Sequence, residues 1–207
     1  YSNALGYYSK GTGDYSNAIG YYATANGVNS NAMGYKAEAN GINTIAMGTG
    51  AQATSALTSY GIAIGAAANA EGGVAMGTNA KATTPSSVAI GSGSVAENGV
   101  SIGENAKSTS CAVAVGIGAD ASGGAHAIAV GFQSKGSGSN STAIGIDAES
   151  SGNLSQAIGY SATASGSQSI AFGQDTDAKS THSTAIGLGA NIGTGADAST
   201  SIGRTAK

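Results

Sequence analysis

At 207 residues the chain is long enough for one or two ordinary domains, yet 35 Gly, no Trp and two Phe leave little bulk to fill a globular core. Hydrophobic residues make up 41% of it, with Ala the largest share, which favours a thin cross-section over a sphere. Only 9% of residues are charged, the net charge is -3 and Arg204 is the sole arginine, so the clustered cations that nucleic-acid binding requires are excluded.

The sole cysteine, Cys111, cannot close an intrachain disulfide, and no Cys/His spacing matches a zinc site. No stretch approaches the roughly 18 to 20 consecutive apolar residues of a membrane-spanning helix. The chain opens in mid-pattern at Tyr1-Ser2-Asn3-Ala4-Leu5-Gly6, without a targeting segment, and so reads as a fragment of a longer protein.

One tripeptide, a small residue followed by an apolar one and Gly, recurs along the whole chain. In chain order its glycines are Gly6, Gly20, Gly34, Gly48, Gly65, Gly77, Gly91, Gly103, Gly116, Gly131, Gly145, Gly159, Gly173, Gly187 and Gly203. Eight of the fourteen intervals are 14 residues, and the rest run from 12 to 17. Turns absorb such insertions and deletions, whereas strands do not. The repeat is carried by pairs such as Ile19-Gly20, Met33-Gly34, Ile90-Gly91, Val130-Gly131, Ile144-Gly145, Ile158-Gly159 and Ile186-Gly187.

Side chains around each pair alternate with the period of a strand, as in Val88-Ala89-Ile90-Gly91. A second alternation follows the Gly, with small residues three and five positions on, such as Ala23 and Ala25 or Ala162 and Ala164. Between them stands an outward position: Lys10, Thr24, Glu38, Gln52, Asn69, Lys81, Val95, Lys107, Asp120, Lys135, Glu149, Thr163, Asp177 and Asn191 in chain order. Two short strands per coil follow, joined by turns rich in Gly, Asn and Ser, which tolerate positive φ. A helix is excluded by the absent i, i+3, i+4, i+7 stripe and by glycines costing about 1 kcal/mol each. Pro85 falls between strands.

The expected fold is therefore all-β: a parallel β-roll or β-solenoid of about fifteen 14-residue coils, forming a single repetitive domain over residues 1–207. Placing Ile and Val of the first strand inside, against the small residues of the second, fills the gap between two sheets and turns the Ala and Gly of the tripeptide outward. The opposite orientation, with Ile facing a neighbouring chain, stays open, because Asn17, Asn31 and Gln156 occupy the Val-equivalent position. Either orientation needs a partner chain, since so thin a coil buries little apolar area against an ordering cost of about 1 to 2 kcal/mol per residue.

The segments Ser16-Asn17-Ala18-Ile19-Gly20-Tyr21, Ser86-Ser87-Val88-Ala89-Ile90-Gly91 and Ser141-Thr142-Ala143-Ile144-Gly145 carry a resemblance. With them the chain resembles the YadA-like head domains of bacterial trimeric autotransporter adhesins, over essentially its whole length. The resemblance implies a left-handed roll, a parallel homotrimer, and adhesion to extracellular matrix protein, cells, other bacteria or abiotic surfaces. It also implies an extracellular place on the bacterial surface, with outer-membrane anchoring through segments not contained here. Similar repeats occur in phage tail fibres, and the alternative reading is a passive spacer or tail-fibre segment projecting another binding domain.

No catalytic constellation emerges, and the chain reads as a non-enzyme without cofactor or metal. His126 and His182 share one turn position four coils apart, and Cys111 holds that position one coil from His126; each reads as a turn residue. Tyr7, Tyr8, Tyr21, Tyr22, Tyr35 and Tyr160 follow the tripeptide glycine, as a ladder over the strand edge or as an aromatic patch for protein or glycan. The candidate partner surface comprises Lys10, Glu38, Lys81, Lys107, Lys135 and Glu149 together with Tyr8, Tyr22 and Tyr35. Ice binding is disfavoured because Thr24 and Thr163 have no threonine at the same position in adjacent coils.

Overall fold

The computed structural model describes residues 1–54 and 60–207. The chain divides into two compact units, Tyr1–Asn105 and Ala106–Lys207. Among the described residues the regular structure of both is strand alone.

The first unit winds through eight tripeptide strands, beginning with Asn3–Leu5, Asn17–Ile19 and Asn31–Met33, that alternate with seven second strands such as Thr24–Ala25 and Glu38–Ala39. The two kinds never mix. Tripeptide strands pair in parallel with tripeptide strands, Ala4 level with Ala18 and Leu5 with Ile19, while second strands pair with second strands, Thr24 level with Glu38. The second unit repeats the plan from Lys107–Thr109 to Thr200–Ile202, with Ile144 level with Ile158 and Glu149 level with Thr163. Parallel pairing at every step is what a solenoid requires, because each winding must return to the same edge travelling the same way.

Register survives the irregular spacings. Ile45 stands level with Ile62 across the 17-residue interval, and Ile62 with Val74 across the 12-residue one. Pro85 lies in a corner. The extra residues of the longest interval fall between Thr54 and Tyr60, outside the described residues.

The interior overturns the preferred packing of the first strand. Ala18, Ala32, Ala46, Ala75 and Ala89 are fully buried, whereas Ile19, Met33, Met47, Met76 and Ile90 are between 36% and 39% exposed. A typical winding thus encloses four small side chains, for example Ser16, Ala18, Ala23 and Ala25, all at 0% exposure, while Ile192, level with Ala178 near the end of the second unit, is among the described residues the one large apolar residue inside, at 4%. The other large residues lie outside. The reason is the width of the coil: large inward side chains need sheets about 10 Å apart, and this winding holds its two strands closer. A Cβ added at Gly11 of the second strand would lie 2.8 Å from the Asn3 carbonyl oxygen of the first, and one at Gly136 would lie 2.9 Å from that of Ile128.

Two corners close each winding. In the first, the tripeptide glycine adopts φ near 130°, as at Gly20 (132°), and the residue two places on is left-handed, as at Tyr22 (56°). Only glycine fits: a Cβ on Gly20 would stand 2.5 Å from the Gly34 carbonyl oxygen of the next winding. In the second corner Gly27 presses on Gly41 with an even shorter clearance, and Asn29 is left-handed at 55°. Buried hydroxyls tie these corners back on themselves. Ser30 Oγ donates to the Gly27 carbonyl at 2.7 Å, Ser169 to Gly166 at 2.7 Å, and in the first corner Ser94 to Gly91 at 2.9 Å. The corners also bond to their neighbours, with Asn43 N–H donating to the Val28 carbonyl at 2.8 Å and Lys36 N–H to that of Tyr21 at 2.9 Å. The turn backbone is therefore paired much as the strands are.

Candidate interaction surfaces

With the interior reserved for Ala and Ser, each winding offers two outward faces. The first is the outer side of the tripeptide strands. In the first unit it carries Ile19, Met33, Met47, Ile64, Met76, Ile90 and Ile102 in one column and Asn17, Asn31, Ile45, Ile62, Val74, Val88 and Val100 in the column beside it. In the second unit the equivalent pairs run from Val113 and Val115, through Ile128 and Val130, Ile144, Ile158 and Phe172, to Ile186 and Ile202. No Asp, Glu, Lys or Arg stands in either column. One large apolar residue in every winding and two in eight of them, with Asn, Gln or Thr in the second column elsewhere, form a contiguous uncharged patch, the mark of a surface meant to be covered.

The second face is the outer side of the second strands, and there the polar column read from the sequence is found in place. Lys10, Lys81, Lys107 and Lys135 are exposed, and Glu38 and Glu149 half-buried. Lys135 Nζ lies 3.8 Å from Glu149 Oε1 in the next winding, an exposed ion pair of small energetic weight. Neither unit gathers these charges into a cluster. Each contributes a different group at successive levels, such as Lys10, Thr24, Glu38 and Gln52 in the first unit.

The tyrosines are brought together as two columns. The rings of Tyr7, Tyr21 and Tyr35 stack at 5.5 Å from winding to winding with interplanar angles of 15° and 5°, and Tyr8 stacks on Tyr22 at 5.0 Å. Tyr7 meets Tyr8 edge-on at 4.2 Å, and Lys36 Nζ caps the Tyr35 ring at 5.3 Å. A hydrogen bond with Tyr8, with a smaller effect of burial, holds the Tyr7 hydroxyl above its ordinary pKa. Because ring faces are turned toward one another along the stack, edges and hydroxyls are what the columns present to solvent. Sugar rings bind through exposed aromatic faces, so this geometry favours the ladder over a glycan platform. Tyr160 stands apart from these columns, in the second unit, and is 51% exposed.

Cys111, His126 and His182 all occupy left-handed corner positions, with φ of 65°, 56° and 57°, and are exposed. Among the described residues no three His, Cys, Asp or Glu side chains gather closely enough to hold a metal ion.

The sequence places Asn17 and Asn31 at one repeat position, and the structure joins them and other 14-residue-spaced amides into hydrogen-bonded rows. Asn3 Nδ2 donates to Asn17 Oδ1 and Asn17 Nδ2 to Asn31 Oδ1, both at 2.9 Å, within the otherwise apolar first face. At the second corner Thr12 donates to Asn26 at 2.7 Å, Asn26 to Asn40 at 2.9 Å, and Asn29 to Asn43 at 3.0 Å.

A parallel solenoid with a glycine-stacked corner, a small-residue interior and an apolar outer face defines a class of repetitive β-solenoid protein. The YadA head domain repeat (2 copies) family matches residues 12–37, 25–51, 39–68, 68–94, 123–148, 137–155, 150–176 and 164–190. These matches cover more than half of the chain, which belongs to that family, an adhesin-type structural family rather than an enzyme family. Comparison with curated proteins gives no match.

Proposed function

We propose that this chain is the head module of a bacterial surface adhesin, acting as a left-handed roll in a parallel homotrimer whose tripeptide-strand faces cover one another. The observation that carries this reading is the inversion of the winding: Ala18 and Ala89 are wholly buried while Ile19 and Ile90 stand in water at 38% and 36% exposure. Removing the exposed part of such a side chain from water is worth about 0.5 to 1 kcal/mol, and an uncharged sheet face repeated at every level is well suited to a second copy of itself. Association also supplies the apolar burial that a winding with an Ala interior lacks. Covering this face leaves the polar second-strand face and the corners outward, where weak contacts to matrix protein, cells or inert surfaces sum by avidity. The extracellular placement follows from the same family reading.

Light scattering on the chain over a range of concentrations tests the assembly; a monomer at all concentrations defeats it. Adherence of the purified assembly to matrix proteins, cells and plastic tests the function, and no adherence above an inert protein control defeats it. A second reading, the passive spacer, is supported by the outward polar column, which changes chemistry at successive levels from Lys10 to Gln52 and so offers no repeated binding unit. Under that reading the assembly forms but does not adhere.

A further inference from the structure

The apolar face is not uniform, and its polar stretch has a definite position. At the levels of Asn3, Asn17 and Asn31 the column that elsewhere in the first unit holds Ile45, Ile62, Val74, Val88 and Val100 carries amides instead. We propose that this amide row is a pairing code, one that admits onto the face only another copy of this chain, parallel and at the same level. The inference rests on the reading of the face as a contact between copies.

The chemistry is self-complementary. A carboxamide has two N–H donors and two acceptor sites. Along the row Asn17 accepts one hydrogen bond from Asn3 and donates one to Asn31, each at 2.9 Å, so one donor and one acceptor site remain for a group opposite. The same row on a second copy offers the matching acceptor and donor at the same height. A slip of one winding brings Asn31 opposite Ile45, and a reversed neighbour overlapping along all fifteen levels brings it opposite Ile170; both bury that amide without a partner. A buried polar group left unpaired costs more than a correct pair gains, so the row acts chiefly by penalising wrong alignments. A single polar residue in an apolar seam specifies register in coiled coils by the same means. The ladder also holds the amides in one orientation before association, which lowers the ordering cost of pairing.

The test is self-sorting. Parent chain carrying a mass tag is refolded together with the Asn17→Val/Asn31→Val variant, and the assemblies are counted by native mass spectrometry. Mixed assemblies are expected roughly tenfold or more below their binomial share, since each mixed level leaves amides facing valines. Parent mixed with a Thr24→Val/Glu38→Val variant, altered only on the second-strand face, is expected to give the binomial distribution. If the double valine variant does not fold alone, Asn17→Thr/Asn31→Thr replaces it, threonine being the residue at the same position in Thr142 and Thr184. Binomial mixing of parent with the Asn variant, in assemblies of unchanged size, overturns the code and leaves the assembly standing. Parent chains that remain monomeric overturn both.

Discussion

The two sheets of one winding are built from the same few residue types and behave in opposite ways. In the tripeptide strand Ala18 is inside and Ile19 outside; in the second strand Ala25 is inside and Thr24 outside. The inward residues of both are alike, Ala or Ser at most levels, because the space between the sheets is narrow, with Thr44, Thr176 and Ile192 as the larger exceptions. All chemical difference is therefore displaced to the surface, where one face becomes apolar and uncharged and the other polar. A solenoid this narrow specifies its fold through smallness and its function through what it turns outward.

The strongest way to break this arrangement is to place a methyl where the windings touch. A Cβ at Gly34 would lie 2.6 Å from the Gly48 carbonyl oxygen, at φ of 134°. Gly34→Ala is expected to cost upward of about 3 kcal/mol and to abolish cooperative melting, followed by far-UV circular dichroism. Gly50 is the control. It is left-handed at 64° with open space around its hydrogen, and the residues that hold its place in other windings include Tyr22, Lys36 and Asn79. Gly50→Ala is expected to cost about 1 kcal/mol, the ordinary penalty of an alanine in that region. Equal effects at the two glycines would show that conformation, not contact between windings, selects them.

The next test exchanges inside for outside on neighbouring residues. Ala89→Val adds bulk to a fully enclosed site and is expected to destabilise by about 1 to 3 kcal/mol at any protein concentration. Ile90→Ala removes a side chain that a single chain already buries in large part and leaves 36% exposed, so the share of its cost that resides in association is about 0.5 to 1 kcal/mol and the remainder falls on the single chain. Melting temperatures measured across a dilution series separate the two: the gap between the Ile90 variant and the parent should narrow as the assembly dissociates, and that of the Ala89 variant should not.

This pair of residues also marks where sequence reasoning reached and where it stopped. Alternation gave the two strands, the coil length and the outward column from Lys10 to Asn191, because period two assigns residues to faces without further information. It could not say which face of the tripeptide strand is inside, and the ordinary preference of large apolar residues for a core pointed the wrong way. The deciding quantity is the distance between sheets, set by the two corners, and the corners are a tertiary property. A local signal did exist. The position before the apolar residue is never larger than Ala or Ser, from Ala4 to Ser201, whereas the position two before it ranges over Asn17, Gln156, Thr142 and Ile62. Strict smallness marks the enclosed site better than hydrophobicity does. The tyrosine ladder followed from spacing alone, while its consequence, ring faces hidden within the stack, needed the coordinates.

A smaller effect is expected at those columns. Tyr21→Ser/Tyr22→Ser removes rings stacked at 5.5 and 5.0 Å on their neighbours and should lower the melting temperature by a few degrees, leaving adherence to immobilised glycans unchanged. Loss of glycan adherence at unchanged stability would reverse the assignment of the columns as structural.

The finest comparison lies between two serines that hold the same place in successive windings. Ser30 Oγ donates to the Gly27 carbonyl at 2.7 Å, while Ser16 Oγ is buried without a hydrogen-bond partner. Ser30→Ala is expected to cost about 1 kcal/mol in urea unfolding, and Ser16→Ala to be neutral or slightly stabilising, because it removes a hydroxyl that burial has stripped of water. Gly61, Ala112 and Ala127 occupy this position in other windings, so a small side chain is what the interior demands and the hydroxyl is an added bond where the corner can receive it. An equal loss at both serines would mean that the hydroxyl itself, rather than its size, is required by the narrow interior.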